Sequence, residues 1–122
     1  MTDNINHECG IALVRLLKPL EHYQIKYGTW MTGLRKLYLL MEKQHNRGQD
    51  GAGVVSVKFD LHPGSKYLNR QRSADTQEIN QVFKKIHNHA KKVQKKKPGL
   101  IDDISWVKKN LPFAAELYLG HL

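Results

Sequence analysis

The sequence feature that most constrains the fold is the spacing of apolar residues between positions 79 and 93. Apolar side chains recur there every three or four residues, at Ile79, Val82, Phe83, Ile86, Ala90 and Val93. That period places them on one face of an α-helix. Asp75 and Glu78 are suited to cap its start, and Pro98 with Gly99 to end it. The sequence therefore predicts a long amphipathic helix between these signals.

The opposite side of this helix accounts for most of the charge of the chain. The 122 residues include 20 Lys and Arg against 11 Asp and Glu, a net charge of +9. Seven of the lysines fall between Lys84 and Lys97, with no acidic residue among them. We interpret this run as a solvated helix face, because no aromatic residues alternate with the lysines as in single-strand nucleic-acid binding. A basic module that binds nucleic acid or protein through this face is the alternative.

The segments before this helix mix strand and helix patterns. The apolar run from Cys9 to Leu17 predicts a buried strand that ends before Lys18 and Pro19. Residues 20–30 are irregular and aromatic, and we interpret them as a surface excursion. A helix is predicted from Thr32 to Gln44, with Leu34, Leu37, Leu40 and Met41 as its buried stripe.

The remaining segments complete a chain of α+β class. The β-branched residues from Val54 to Phe59 predict a strand, and Asp60 to Ala74 a loop with a turn at Pro63 and Gly64. A short helix is predicted from Ile101 to Asn110, and a half-buried strand from Ala115 to Leu119. A strand at the end of the chain would leave an exposed sheet edge, for which a second copy of the chain is a candidate partner.

The composition excludes several classes of protein. No run of 18 apolar residues exists, so a transmembrane helix is not expected, and residues 1–8 do not resemble a secretory signal. The single cysteine excludes a disulfide framework and a Cys-only zinc site. His87 and His89 are two residues apart on a helix and cannot share a metal there. We expect a cytoplasmic protein without a metal site, with Trp30 and Trp106 as core or interface anchors.

Two segments could carry chemistry. Cys9 is the only thiol nucleophile, although a lone cysteine at a strand start is more often a small core residue. Gly10 beside it permits close approach of another backbone or a ligand. The second segment contains Gly48, Gly51 and Gly53, and it is either a tight connection or part of a binding site. It lacks the Gly-Lys-Ser/Thr ending of a phosphate-binding loop.

Together these segments resemble a known family. Cys9-Gly10-Ile11, the block from Arg47 to Gly53 and the closing Leu119-Gly120-His121-Leu122 are similar to motifs of the class II glutamine amidotransferases, which are N-terminal-nucleophile hydrolases. Gln49 makes the block most similar to the amidophosphoribosyltransferase family. The resemblance covers residues 9–122 and implies part of a four-layer αββα sandwich, preceded by a propeptide-like leader at residues 1–8.

The resemblance also implies the reaction. Cys9, once it is N-terminal, would attack the side-chain amide of glutamine, and its α-amine would carry the proton. Arg47 and Gly48 would line the substrate pocket. The released ammonia would displace pyrophosphate from phosphoribosyl pyrophosphate in purine biosynthesis. That step belongs to a separate phosphoribosyltransferase domain that needs magnesium, so no cofactor is expected within these residues.

This sequence departs from the family pattern at three points. Asn46 stands where the family has histidine, which we interpret as a tolerated substitution. The sequence begins at Met1, whereas the chemistry needs a free α-amine on Cys9. The arginine expected after Leu122 and the family's downstream asparagine-glycine pair and aspartate are absent. We therefore expect an incomplete glutaminase domain with little activity of its own, since one lost oxyanion donor typically costs about 100–1,000-fold.

Overall fold

The computed structural model describes residues 10–44, 51–73, 78–96, 99 and 103–122. Cys9, Asn46, Arg47, Gly48, Gln49, Asp75 and Pro98, all named above, lie outside these residues. The described elements are, in chain order, β1 (Ile11–Arg15), α1 (Leu20–Tyr27), α2 (Thr32–Gln44), β2 (Ala52–Val57), β3 (Leu68–Ser73), α3 (Glu78–Lys96), α4 (Ile104–Asn110) and β4 (Leu117–His121).

The described strands form one antiparallel sheet in the order β1-β4-β2-β3. Helix α2 packs on β1 and β4, and α3 packs on β2 and β3, so both helices cover the same face. The class is therefore α+β, as predicted. None of the described helices is long and apolar enough to cross a bilayer.

Periodicity predicted three of the helices. Helix α2 has the predicted bounds, and α3 buries Ile79, Val82, Phe83 and Ile86 as expected. The prediction that Leu40 is buried is wrong: it is 40% exposed at the margin of a stripe formed by Leu34, Leu37 and Met41. Helix α4 begins at Ile104 because the Asp103 carboxylate accepts a hydrogen bond from the Trp106 N–H and caps it.

The irregular excursion predicted for residues 20–30 is wrong, because α1 occupies most of it. Only Leu20 is buried on this helix, so no apolar stripe indicates it. Pro19 directly precedes the helix, where a fixed φ is favourable. Gly28, with φ of +76°, ends it and donates its N–H to the Gln24 carbonyl oxygen.

The predicted loop from Asp60 to Ala74 contains the turn and also a strand. Gly64 has a φ of +89°, and the Ser65 N–H bonds the His62 carbonyl, which confirms the turn. Strand β3 follows at the sheet edge beside β2. Its polar sequence, LNRQRS, lacks the apolar alternation that indicates a strand.

The predictions for strands β1, β4 and β2 need correction. The strand from the Cys9–Leu17 run is β1, but only one side is buried: Ala12 is 5% exposed, whereas Ile11 and Leu13 are 64% and 59% exposed. Strand β4 begins two residues later than predicted and lies between β1 and β2. The expectation that this last strand forms a sheet edge is therefore wrong, and β1 and β3 are the edges. Strand β2, predicted from Val54 to Phe59, begins at Ala52.

The core lies between the sheet and helices α2 and α3. Trp30 is 4% exposed, so it is a core residue as predicted, and Trp106 packs against the core from its margin. Tyr118 is fully buried, and its hydroxyl donates to the Phe113 carbonyl and accepts the Ala115 N–H. This side chain fixes the chain that enters β4.

Candidate functional site

Described residues that are close in sequence to the predicted site residues lie together at one end of the sheet. Gly53 on β2 pairs with His121 on β4, and His121 pairs with Ile11 on β1. The Leu122 N–H also bonds the Gly10 carbonyl oxygen at 2.9 Å. Gly10 follows Cys9 in sequence, and Gly53 ends the block that begins at Arg47. Three motif segments distant in sequence therefore adjoin in one row of the sheet.

Gly10 lies where an added side chain would require the end of the Gln44 side chain to shift. A Cβ atom at this position would be 2.9 Å from Gln44 Oε1 and 3.3 Å from Leu122 Cδ1. Helix α2 thus ends against the start of β1, and the atoms nearest to an added Cβ at Gly10 belong to the side chains of Gln44 and Leu122. Gly51, with φ of +96°, adopts a backbone conformation that favours glycine where the chain enters β2.

An open groove of about 680 Å³ lies at this end of the sheet, on the face that α2 and α3 do not cover. Ile11, Val55 and Leu119 form its apolar side. Gly53 lies at its floor, where the nearest atom to an added Cβ is 3.5 Å away. The volume is within the usual range of small-molecule sites, about 300–1,000 Å³.

The charged side of the groove is basic. Arg70, Arg72 and His121 line it, and none of the described lining residues is acidic. Arg72 pairs with Gly53 and Arg70 with Val55 across β2 and β3, so both arginines are on the open face. Within the described residues neither guanidinium has a carboxylate partner. The groove is therefore suited to a ligand that carries a carboxylate or another anion.

Neither arginine was among the site residues predicted from the sequence. Their alternation on β3 would have indicated a shared face, but only after that segment had been recognised as a strand. His121, which belongs to the closing motif, is exposed and lines the groove. Gly53 contributes to the site through its lack of a side chain.

A second cluster of charge lies at the other end of the same strands. Lys58 is 5% exposed, and its ammonium donates to the carbonyl oxygens of Lys108 and of Leu111, the latter at 2.7 Å. Burial lowers the pKa of Lys58 to about 8, with a further decrease from Lys108 and an opposing effect of Glu116. Glu116 pairs with Lys108 at 2.6 Å and accepts the Phe59 N–H. This cluster holds the end of α4 against the sheet.

The histidines of α3 are exposed. His87 and His89 are both on the solvent side, and partial burial together with Arg35 and Lys91 lowers the pKa of His87. Within the described part of the chain, no three His, Cys, Asp or Glu side chains are grouped to hold a metal ion. His87 and His89 thus offer no reason to expect a metal.

Comparisons with protein-family models, with curated proteins and with solved structures found no match to this chain.

Proposed function

We propose that this chain is the glutaminase region of an amidophosphoribosyltransferase, with Cys9 as its nucleophile. The observation that carries the proposal is the row Ile11–His121–Gly53. In this row the described ends of the three segments that resemble the amidotransferase motifs adjoin. A nucleophile and its binding loop must adjoin in the fold although they are distant in sequence.

In the proposed reaction, the Cys9 thiol attacks the side-chain amide carbon of glutamine. The α-amine of Cys9 accepts the thiol proton and returns it to the leaving nitrogen, so that ammonia departs and a γ-glutamyl thioester remains. Water then cleaves the thioester and releases glutamate and the free thiol. Arg47 and Gly48 line the substrate pocket. Removal of residues 1–8 is required because an acylated nitrogen cannot act as a base.

The ammonia is the product that the complete enzyme uses. It displaces pyrophosphate from phosphoribosyl pyrophosphate and forms phosphoribosylamine, in a phosphoribosyltransferase domain that holds magnesium. That domain is expected from the family resemblance alone. The charge of the groove supports the glutaminase step, because glutamine carries an α-carboxylate and the described lining presents Arg70, Arg72 and His121 and no acidic residue.

The uncovered face of the sheet supports the four-layer αββα architecture. Helices cover one face, whereas the other presents Ile11, Leu13 and Leu119, which are 64%, 59% and 37% exposed. Apolar sheet faces are normally covered by another layer. In an αββα sandwich that layer is a second sheet, and its position would correspond to this face.

A glutamine analogue with an electrophilic diazoketone, 6-diazo-5-oxo-L-norleucine, tests the proposal. The chain is prepared with residues 1–8 removed, and adducts are measured by intact mass spectrometry. We expect one adduct per chain, because Cys9 is the only cysteine. Retention of residues 1–8, or Cys9→Ser, should abolish the adduct. An adduct that persists in Cys9→Ser would assign the reactivity to another residue and contradict the proposal.

A basic interaction module is the second candidate function. Every described lysine of the run, Lys84, Lys85, Lys91, Lys92, Lys95 and Lys96, is exposed. Binding of duplex or single-stranded nucleic acid that weakens steeply with salt would support this function. Absence of binding at about 50 mM salt would exclude nucleic acid as the partner, because low salt favours such complexes.

A further inference from the structure

A second cavity lies on the helix-covered side of the sheet, apart from the groove at Gly53. Its volume is about 430 Å³, and it lies between α3, β3 and the segment of residues 111–113 that precedes β4. None of its lining residues lines the groove of the proposed glutaminase site. Its volume is within the range of sites for small organic ligands, about 300–1,000 Å³.

One rim of this cavity carries basic side chains. Lys85, His89 and Lys92 are spaced by four and three residues, so they follow one stripe of α3. All three are exposed, and among the described residues the lining includes no acidic side chain. The other described lysines of the helix do not line the cavity. The structure thus separates two lysines that line this cavity from four described lysines of α3 that do not.

The wall of the cavity away from this basic rim is apolar and aromatic. Trp30, Phe113 and Leu111 are 4%, 8% and 2% exposed, so their side chains are held by the core. Ile86 and Ala90 of α3 extend the apolar surface between the cations. A ligand that contacts both parts needs an apolar body and an anionic group.

The wall is fixed by hydrogen bonds from side chains. The Leu111 carbonyl accepts the Lys58 ammonium, and the Phe113 carbonyl accepts the Tyr118 hydroxyl. Between them, the Pro112 carbonyl accepts the Ser56 hydroxyl at 3.0 Å and the Asn69 amide at 2.9 Å. Three successive carbonyl groups are therefore held by four side chains. A wall of this kind needs little ordering when a ligand binds.

We propose that this cavity binds a small amphipathic anion, with a phosphate or carboxylate at the Lys85 and Lys92 rim and an apolar body against Trp30 and Phe113. The charge of the rim selects the anion, because cations in a concave surface without acidic neighbours concentrate negative ligands. The buried rings select an apolar body, since inorganic anions gain nothing from that wall. The proposal does not depend on the glutaminase function.

Trp30 provides a direct probe. In a Trp106→Phe background it is the only tryptophan, because the chain has two. Fluorescence is titrated with phenyl phosphate, decanoate and inorganic phosphate. We expect saturable binding of phenyl phosphate or decanoate that is at least about 10-fold tighter than that of inorganic phosphate. Phenyl phosphate alone would indicate an aromatic phosphate as the natural ligand, and decanoate alone an acyl chain. No saturable binding of either, or equal binding of inorganic phosphate, would overturn the proposal.

A matched pair of double variants tests the rim. Lys85→Glu with Lys92→Glu should weaken binding of the tighter probe by about 10-fold or more, because both charges at the rim are reversed. Lys84→Glu with Lys91→Glu makes the same change of charge on the same helix and should weaken binding by only about 2-fold. Thermal unfolding checks that both double variants fold. Equal losses in the two pairs would overturn the proposal, because the general charge of the helix would then explain binding.

Discussion

Gly53 on β2 lies directly opposite His121 on β4 in the antiparallel register. The pairing joins the end of the glycine-rich segment to the end of the last described strand, and β1 continues the same row at Ile11. Because Gly53 has no side chain, His121 and Arg72 flank an open floor. This relationship places the candidate site at one end of the sheet. It requires β4 to lie between β1 and β2.

The contact between Gly120 and Met41 predicts that a side chain added at Gly120 destabilises the fold. A Cβ at Gly120 would be 2.5 Å from Met41 Sδ and 3.2 Å from Leu37 Cδ1. Gly120→Ala should therefore lower the free energy of unfolding by about 1–3 kcal/mol, measured by urea denaturation. Gly53→Ala, where the nearest atom is 3.5 Å away, should change it by no more than about 0.5 kcal/mol. Equal effects would contradict the described packing of α2 on β4.

Adjacent valines on β2 test which face of the sheet is covered. Val54 is fully buried beneath the helices, and Val55 lines the open groove. Val54→Thr places a hydroxyl in the core and should cost about 1–3 kcal/mol. Val55→Thr should cost no more than about 0.5 kcal/mol in the isolated chain, because water reaches the hydroxyl. A similar loss at Val55 would mean that another layer covers this face in solution.

The Tyr118 hydroxyl is expected to stabilise the entry to β4. Tyr118→Phe leaves the buried Phe113 carbonyl and Ala115 N–H without this partner. The free energy of unfolding should fall by about 1–3 kcal/mol. Tyr67→Phe removes the same group from a side chain that is 58% exposed, and it should change stability by no more than about 0.5 kcal/mol. If both substitutions are neutral, the two hydrogen bonds contribute nothing to stability.

Lys58 predicts a specific dependence of stability on pH. Its pKa is about 8 in the folded chain against 10.5 in the unfolded chain, so the unfolded chain holds the proton more tightly. The free energy of unfolding should therefore rise with pH between these values. Below pH 8 the penalty for the buried charge is fully present.

The variant Lys58→Met isolates this contribution. Relative to the variant, the wild type should gain stability from about pH 7.5 to about pH 9.5 in urea denaturation. Burial raises the pKa of Tyr118 in the folded chain. The pH range therefore stays below 10, because ionisation of Tyr118 in the unfolded chain above that pH would lower the free energy of unfolding. A stability difference that does not change with pH would show that Lys58 titrates normally.

Local periodicity determined how much of the fold could be predicted. Helices α2 and α3 carry apolar stripes, and β2 and β4 carry β-branched or alternating apolar residues, so each was predicted with small errors in its bounds. Helix α1 and strand β3 carry no such pattern. Leu20 is the only buried residue of α1, and β3 is held by its pairing with β2. Pairing between distant segments also places β4 between β1 and β2, and no local pattern encodes that order.

The candidate site could be predicted only in part for the same reason. The roles of Cys9, Arg47 and Gly48 came from a resemblance of motifs and stay predictions. The structure adds the row that joins Gly53 to His121, which local sequence does not reveal. Arg70 and Arg72 emerge only once β3 is known to be a strand that alternates toward the groove.

Protection of Cys9 by glutamine is the most direct test of a glutamine site at Cys9. The chain without residues 1–8 is alkylated with iodoacetamide, and the rate is followed by intact mass with increasing L-glutamine. We predict saturable but weak slowing by L-glutamine, as expected of a domain with little activity of its own, and none by D-glutamine. Arg47→Gln should weaken the protection by about 10-fold, because a charged hydrogen bond to the substrate is lost. The exposed Arg35→Gln should leave it unchanged. An alkylation rate that L-glutamine does not alter at any concentration would contradict the assignment of a glutamine site at Cys9.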